Sequence, residues 1–318
     1  MDNTQRKFSD LEYIKEACNK YSYPEGTFDA LEKAYNIIIE NQEASDIFFG
    51  WLCAYERDKA NDEEMRKAML DDTADAAQKC GVSEYTVHLL LLILMTPHLL
   101  KLYKLRGIDE NMIDGVFMDL KWKLLECLRM HDIFGTFVAS WHLRFYRLDL
   151  FGLGRLQFEI KKAGFTYSLC GVDIEPETTV LGVHIPSSGR LVREEYLESY
   201  ARAEKFFAHL FPNGKTIFTC SSWLLFPEHK VMLPETSGIR IFAEDFSVYE
   251  AYYSKPLSRP WPIFYNKKNA PADELPTDTT LERLYTERYK KGLPSGSALG
   301  VIIYKDGQIL NTEKDKMV

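Results

Sequence analysis

The sequence predicts an α+β protein in which an all-helical N-terminal domain, residues 1–127, precedes a mixed α/β domain, residues 128–318. In the first part, apolar residues recur at helical spacing behind N-cap residues, and little alternates as a strand does. After His131, short apolar or alternating runs follow one another, separated by turns that contain Gly and Pro. The length of 318 residues is sufficient for two hydrophobic cores.

The first domain is predicted to be a bundle of antiparallel helices with short loops. Thr27 and Ser83 have the residue type and position of N-caps, and Gly26 and Gly81 lie at breaks between helices. The expected helices cover residues 8–21, 28–40, 46–56, 63–80, 85–95, 98–105 and 109–129. The apolar run within 89–95 is too short to span a bilayer, so we expect a buried core helix there.

The second domain is organised around a strand, loop and helix between residues 179 and 210. Val180 to Ile185 is a short apolar run rich in β-branched residues, which predicts a buried strand. The turn Pro186 to Gly189 leads into an amphipathic helix from Leu191 to Leu210, and another strand begins at Lys215. This order predicts a βαβ crossover. Further strands are expected at 156–160, 165–173, 239–246 and 298–304, and helices at 134–146 and 279–291.

The loop before the long helix is a candidate anion site. A helix N-terminus presents free backbone N–H groups and partial positive charge, to which a phosphate can bind. Gly189 permits close approach of the backbone, Ser187 and Ser188 can cap or donate, and Arg190 can contact phosphate. An ordinary strand-to-helix turn with a serine cap has the same sequence pattern, so both interpretations stand at this point.

Charge and cysteine content narrow the function classes. The formal net charge of −8 argues against binding to nucleic acid or to a membrane surface. The six cysteines have neither zinc-site nor redox-motif spacing, so no metal site is expected. They are typical of reduced thiols, and without a predicted signal peptide we expect a cytoplasmic protein.

The order of strands and helices in the second half resembles the GNAT acetyltransferase fold. Local sequences resemble a narrower family of bacterial acyltransferase-domain proteins, which join a helical N-acyltransferase domain to a GNAT-like C-terminal domain. The segments that carry this resemblance are Trp141-His142, Leu153–Glu159, Leu181–Pro186, Cys220–Leu225, the pattern Leu275-Pro-x-x-Thr-x-Leu281, and Tyr103 with Arg106–Ile108.

The resemblance implies that acetyl-CoA or another acyl-CoA is the co-substrate. Its pyrophosphate would bind at Ile185, Ser187, Ser188, Gly189 and Arg190. The stretch departs from the usual GNAT loop, which resembles Gln/Arg-x-x-Gly-x-Gly/Ala, because it has one glycine and a proline. Pro186 removes one N–H donor from the region that would hold the phosphates.

Acyl transfer to an amine requires a base, an oxyanion donor and a proton for the leaving thiolate. Glu159 is the first candidate base, with an ion pair to Arg155 or Lys161 as the alternative. His184 is a second candidate, or else a satisfied core histidine. Ser222 is the favoured proton donor, and Cys220 is either a covalent nucleophile or a buried core thiol.

These observations predict an acyl-CoA-dependent N-acyltransferase with a small-molecule or peptide amine as acceptor, and with neither nucleic acid nor membrane as partner. The alternative is a non-catalytic GNAT-like module for ligand binding or interaction. A hydrolase acting through Cys220 or Ser222 is a further enzyme hypothesis. The acceptor, the acyl length and the oligomeric state are left open by the sequence.

Overall fold

The computed structural model describes residues 3–57, 62–254 and 259–312, with side chains from residue 6 onward. The chain divides into two compact units, residues 1–151 and 152–318. The predicted boundary after residue 127 lies inside a helix, Ile113–His131, and the next helix, Ala139–Tyr146, is also in the first unit. The aromatic residues that follow His131 therefore complete the helical unit, where Phe145 and Tyr146 are buried.

The first unit is helical, as the sequence predicts. Asn41, Asp62 and Ser83 cap three of its helices, each by accepting a backbone N–H in the first turn. The helices are α1 (Asn3–Lys20), α2 (Thr27–Glu40), α3 (Gln42–Glu56), α4 (Glu63–Lys79), α5 (Glu84–Leu105), α6 (Ile113–His131) and α7 (Ala139–Tyr146).

Helix α5 is the core of this unit. Among the described residues it is the one helix long and apolar enough to cross a membrane, judged by length and composition. Its residues from Leu89 to Ile93 are fully buried within the unit. The sequence predicted a break at Pro97, but the helix continues through it. Pro97 cannot donate to the carbonyl of Ile93, and the Thr96 hydroxyl donates to that carbonyl instead, at 2.6 Å.

The second unit contains a mixed sheet, and β1 (Leu150–Gly152) lies at the boundary of the units. Within the unit the strand order is β2-β5-β6-β8-β7, with β9 beside β8. Strands β5 and β6 are parallel and the other pairs are antiparallel. The strands are β2 (Gln157–Lys162), β3 (Tyr167–Leu169), β4 (Val172–Ile174), β5 (Thr179–His184), β6 (Thr216–Ser222), β7 (Ser247–Tyr253), β8 (Gly296–Lys305) and β9 (Gln308–Ile309).

Helix α8 (Arg193–Phe206) connects the parallel strands β5 and β6, so the predicted βαβ crossover is confirmed. Tyr200 on this helix packs on Phe218 of β6, with ring centroids 4.8 Å apart, and both rings are fully buried. The remaining helices are α9 (His229–Met232), α10 (Gly238–Glu244), α11 (Trp261–Phe264) and α12 (Thr280–Lys290). The predicted fold class, a helical domain followed by a mixed α/β domain, is confirmed.

Two predicted strands differ in the structure. The expected strand at 165–173 is a hairpin, β3 and β4, which turns at Cys170 and Gly171, both with positive φ. The expected strand at 239–246 is helix α10, and the strand follows it as β7. The prediction was wrong there because a short apolar run fits a strand and a buried helix equally well.

Candidate active site

The parallel strands β5 and β6 separate soon after they meet. Their ladder consists of Leu181 opposite Phe218 and Gly182 opposite Thr219. The chain beyond these pairs leads to a cleft of about 780 Å³. The walls of this cleft come from the loop after β5, the turn after β6, the start of α10 and the start of α12. A cleft at the carboxyl ends of diverging parallel strands is a common position for a ligand in α/β proteins.

The β5–α8 loop, residues 185–192, carries the predicted phosphate-binding residues. Ile185, Ser187, Gly189 and Arg190 line the cleft, whereas Ser188 is not among its lining residues. Gly189 has a φ of 107°, which favours glycine.

The N-terminus of α8 has no side-chain cap. Its N-cap is Val192 in extended conformation, so the predicted serine cap is absent. Within the described part of the chain, the N–H groups from Ser187 to Glu195 donate to no protein acceptor. A helix end of this kind presents several N–H donors to an anion. Glu194 and Glu195 in its first turn offset part of the positive potential.

Arg155, which also lines the cleft, binds the carbonyl groups of this loop. Its Nη2 donates to the carbonyl of Gly189 at 2.9 Å and its Nη1 to the carbonyl of Pro186 at 3.0 Å. Its Nε donates more weakly to the carbonyl of Arg190 at 3.4 Å. Burial lowers the pKa of Arg155, but a guanidinium starts so high that it stays charged. The alternative ion pair of Arg155 with Glu159 is therefore replaced by contacts with backbone oxygens.

Arg193, the basic residue at the start of α8, already has side-chain partners in the protein. Arg193 Nη1 lies 2.8 Å from Asp245 Oδ2 and 3.0 Å from the Tyr196 hydroxyl. Asp245 is almost fully buried, so this ion pair attaches α8 to the end of α10. Arg190, in the loop, lines the cleft, whereas Arg193 does not.

The structure brings two predicted catalytic residues together. His184 Nε2 lies 2.9 Å from Glu159 Oε2, with side chains 27% and 16% exposed. Antiparallel register places Glu159 opposite Gly182, two residues before His184, so the carboxylate reaches the imidazole diagonally across β2 and β5. An ionised carboxylate only accepts hydrogen bonds, so in this contact Nε2 would be the donor, and a neutral imidazole would then have its lone pair on Nδ1. Such a pair can orient an imidazole and stabilise it when it takes up a proton.

The third predicted catalytic residue has a local structural role. Ser222 Oγ accepts the N–H of Leu224 at 3.1 Å and so caps a 3₁₀ turn of residues 223–225. Trp223 and Leu224 of this turn line the cleft. The Ser222 hydroxyl hydrogen is not used in this cap and can donate elsewhere.

Cys220 is a poor nucleophile in this structure. Its side chain is 1% exposed, and burial raises the pKa of the thiol to about 12. The thiolate, which is the reactive form, is therefore scarce at neutral pH. The covalent mechanism through Cys220 is not supported, and the alternative of a buried core thiol describes the residue.

Sequence reasoning missed two parts of the cleft wall. Gly238, at the start of α10, packs so closely that a Cβ would lie 2.2 Å from the carbonyl oxygen of Leu191. Thr279 caps α12 in a capping box with Glu282, and residues 279–281 line the cleft. The Thr-x-x-Glu spacing was a visible signal for the second feature. The close approach at Gly238 depends on tertiary structure and has no local signal.

The comparisons with known proteins agree with this architecture. Residues 12–148 match the model of the N-acyltransferase N-terminal domain, and residues 150–302 match that of the GNAT-like C-terminal domain. No curated protein compared with the chain matches it in sequence.

Solved structures with the same fold cover nearly the whole chain. An acyltransferase in complex with decanoyl-CoA and teicoplanin has a TM-score of 0.69 and 20% identity, covering 91% of this chain and 87% of that one. A mutant acyltransferase in complex with octanoyl-CoA has a TM-score of 0.67 and 19% identity, with the same two coverages of 91% and 87%. An acyltransferase in complex with CoA and 10C-teicoplanin has a TM-score of 0.61 and 21% identity, covering 90% and 98%.

The fold and the two domain matches define a two-domain protein of the acyltransferase type. The chain belongs to the family that joins an N-acyltransferase N-terminal domain to a GNAT-like C-terminal domain.

Proposed function

We propose that this protein is an acyl-CoA-dependent N-acyltransferase. The observation that carries the proposal is that Ser187, Gly189, Arg190 and Leu191 line the cleft before α8, and that their N–H groups donate to no protein acceptor in the described residues. The family supports it, as do the acyltransferases of the same fold that were solved with decanoyl-CoA, octanoyl-CoA or CoA.

The cleft has the chemistry that an acyl-CoA requires. The N–H groups of the β5–α8 loop and the Arg190 side chain would hold the pyrophosphate. Apolar side chains on the opposite walls, Trp223, Leu224, Leu233 and Leu281 among them, would contact the pantetheine arm or the acyl chain. The neighbours bind octanoyl- and decanoyl-CoA, so medium-chain thioesters belong in the first tests beside acetyl-CoA.

The reaction is direct transfer. The acceptor amine attacks the thioester carbonyl, a new C–N bond forms, and the C–S bond breaks. His184, oriented by Glu159, would take the amine proton, and the leaving thiolate would gain a proton from the Ser222 hydroxyl or from water. These roles for Glu159, His184 and Ser222 are predictions from geometry and chemistry.

The acceptor is proposed by chemical class only. A small molecule or peptide with a free amine suits this reaction, and two of the structural neighbours are complexed with teicoplanin or 10C-teicoplanin. A cytoplasmic location is likewise a prediction, supported by six cysteines that form no disulfide.

The second candidate, a non-catalytic binding module, is favoured by one observation. The β5–α8 loop contains Pro186 and a single glycine, so it lacks one N–H donor and much of the backbone freedom of a glycine-rich loop. Both candidates predict binding of a phosphate-bearing ligand, but only the enzyme forms an amide.

The test uses the full chain in two steps. Isothermal titration with acetyl-, octanoyl- and decanoyl-CoA measures binding, and mass spectrometry then looks for amide products with a panel of primary amines. Binding together with an amide product supports the transferase. If none of the three thioesters binds, the proposal fails. Binding without any amide product would favour the binding module.

A further inference from the structure

One side chain of the cleft wall, that of Arg155, makes hydrogen bonds to three carbonyl groups of the β5–α8 loop. The Arg155 guanidinium donates to the carbonyls of Pro186, Gly189 and Arg190. In the described residues Arg155 has no carboxylate partner within ion-pair distance, so backbone carbonyls take the place of a counter-ion. An arginine suits this position because its planar fork can meet several acceptors at once, which an ammonium on a flexible chain does less well.

These contacts fix the direction of the neighbouring N–H groups. The described residues contain no cis peptide bond. In a trans peptide the C=O and the following N–H point in opposite directions. The three carbonyls that face Arg155 therefore turn the N–H groups of Ser187, Arg190 and Leu191 away from it. None of these three N–H groups has an acceptor in the described part of the protein.

Arg155 is itself anchored to the helix that this loop begins. The hydroxyl of Ser199 on α8 accepts the N–H of Arg155 at 2.8 Å and that of Leu156 at 3.3 Å. The same hydroxyl donates to the carbonyl of Glu195 at 3.0 Å. Gly154, with a φ of 92°, permits the turn, since a Cβ there would lie 3.0 Å from the Ser199 oxygen. The contacts therefore run from Ser199 on α8 to the backbone of Arg155, and from the Arg155 guanidinium to the loop that leads back into α8.

We propose that Arg155 is the positioning residue of the phosphate loop. It holds three loop carbonyls, turns the N–H groups that follow them away from its guanidinium, and so leaves those N–H groups available to the diphosphate of the acyl-CoA. Glycine-rich loops perform this task by backbone freedom. The inference rests on the proposed function, since it names what makes that binding site competent. The expectation is that Arg155 affects recognition of the nucleotide part of the substrate and leaves the reaction of the thioester intact.

The test compares two thioesters of the same acyl group. One is the acyl-CoA, and the other is the acyl-N-acetylcysteamine thioester, which lacks the diphosphate and the nucleotide. For Arg155→Lys, which keeps the charge but not the fork, we expect KM for acyl-CoA to rise about tenfold or more, with kcat unchanged within about twofold. For the truncated thioester we expect kcat/KM to stay within about twofold of wild type.

A matched variant separates loop shape from charge. Arg190→Met removes a positive charge from the same cleft, and the Arg190 side chain makes no contact that shapes the loop in the described residues. It should raise KM for acyl-CoA by a few-fold in low salt, with the effect fading as salt screens the charge. The effect of Arg155→Lys should persist in high salt, because it changes geometry.

Other outcomes overturn the inference in distinct ways. Equal losses with both thioesters would show a general structural role for Arg155, and an unchanged KM for acyl-CoA would show no role.

If Arg155→Lys does not fold, Ser199→Ala keeps the guanidinium but releases its anchor, and should raise KM for acyl-CoA while sparing the truncated thioester. Wild-type protein that binds no acyl-CoA would defeat the proposed function itself. If Arg155→Lys and Ser199→Ala bind acyl-CoA as tightly as wild type does, this inference alone fails.

Discussion

Among the described residues, a histidine lies within ion-pair distance of a carboxylate in each unit, and the two pairs lie in opposite environments. In the second unit, His184 and Glu159 are 2.9 Å apart on neighbouring strands, and both are partly exposed. In the helical unit, His142 Nδ1 lies 3.2 Å from Asp119 Oδ2 on α6, with side chains 0% and 1% exposed. Similar chemistry is thus available in both units, but only one pair can be reached from solvent.

The difference shows that burial decides what such a pair can do. A base must come within hydrogen-bond reach of its substrate, directly or through one water. His142 is enclosed, and its Nε2 lies 3.4 Å from the hydroxyl of Thr136, which is also buried. We therefore expect His142 to contribute to stability, and we propose proton transfer for His184. Substitutions in the two pairs should separate these roles.

The largest effect is expected from His184→Ala. Loss of a positioned base should lower kcat for amide formation by about 10²–10⁴-fold. Affinity for acyl-CoA should change little, since His184 is not among the residues that line the cleft. Steady-state kinetics and calorimetry on the same preparation measure both quantities. A variant with normal kcat would remove His184 as the base.

The matched change in the helical unit is His142→Ala. It deletes a fully buried ring beside Asp119, and large-to-small changes at enclosed sites cost about 2–5 kcal/mol in the free energy of unfolding. Urea unfolding measures this loss. Because His142 has no proposed role in chemistry, the folded fraction should keep its kcat. A stable variant with reduced kcat would reverse the assignment of the two histidines.

The sequence predicted the parts of the site that depend on local pattern. The strand, turn and helix from Val180 to Leu210 were predictable because apolar runs, turn residues and helical spacing are short-range signals. The pairing of Glu159 with His184 was not, because it depends on strand register. Glu159 was selected for its position on the polar side of a strand in a family-like segment, and His184 as an ionisable residue in an apolar strand. The structure places the two together.

Other features depend on tertiary contacts and have no sequence signal. An ion pair of Arg155 with Glu159 was one alternative from the sequence, but the partners of Arg155 are backbone oxygens that converge only after the loop has folded. Helix α10 was predicted as a strand because its few apolar residues fit both periods. His142 lies in a segment that resembles the family, yet the resemblance could not show whether it is buried.

A moderate effect is expected from Glu159→Gln. The amide keeps the size of the side chain but loses the charge that stabilises a protonated imidazole. A hydrogen bond to a charged group contributes about 1.5–3 kcal/mol, so kcat should fall by about 10–100-fold, less than for His184→Ala. Combined with His184→Ala, it should add almost nothing, because residues that act as a unit are not additive. A double mutant whose losses multiply would show that Glu159 acts independently of His184.

The smallest effect is expected from Cys220→Ala, which tests burial with a different group. Because burial raises the pKa of this thiol to about 12, the thiol stays protonated as pH rises from 6 to 9. The fraction of Cys220 present as thiolate therefore remains negligible over this pH range. Alkylation by iodoacetamide at pH 8, mapped by peptide mass spectrometry, should therefore leave Cys220 unmodified in the folded protein. The variant should keep kcat within about twofold of wild type. Rapid alkylation of Cys220, or a large loss of turnover in the variant, would restore the covalent mechanism. It would also show that a buried group of this protein can take part in the reaction.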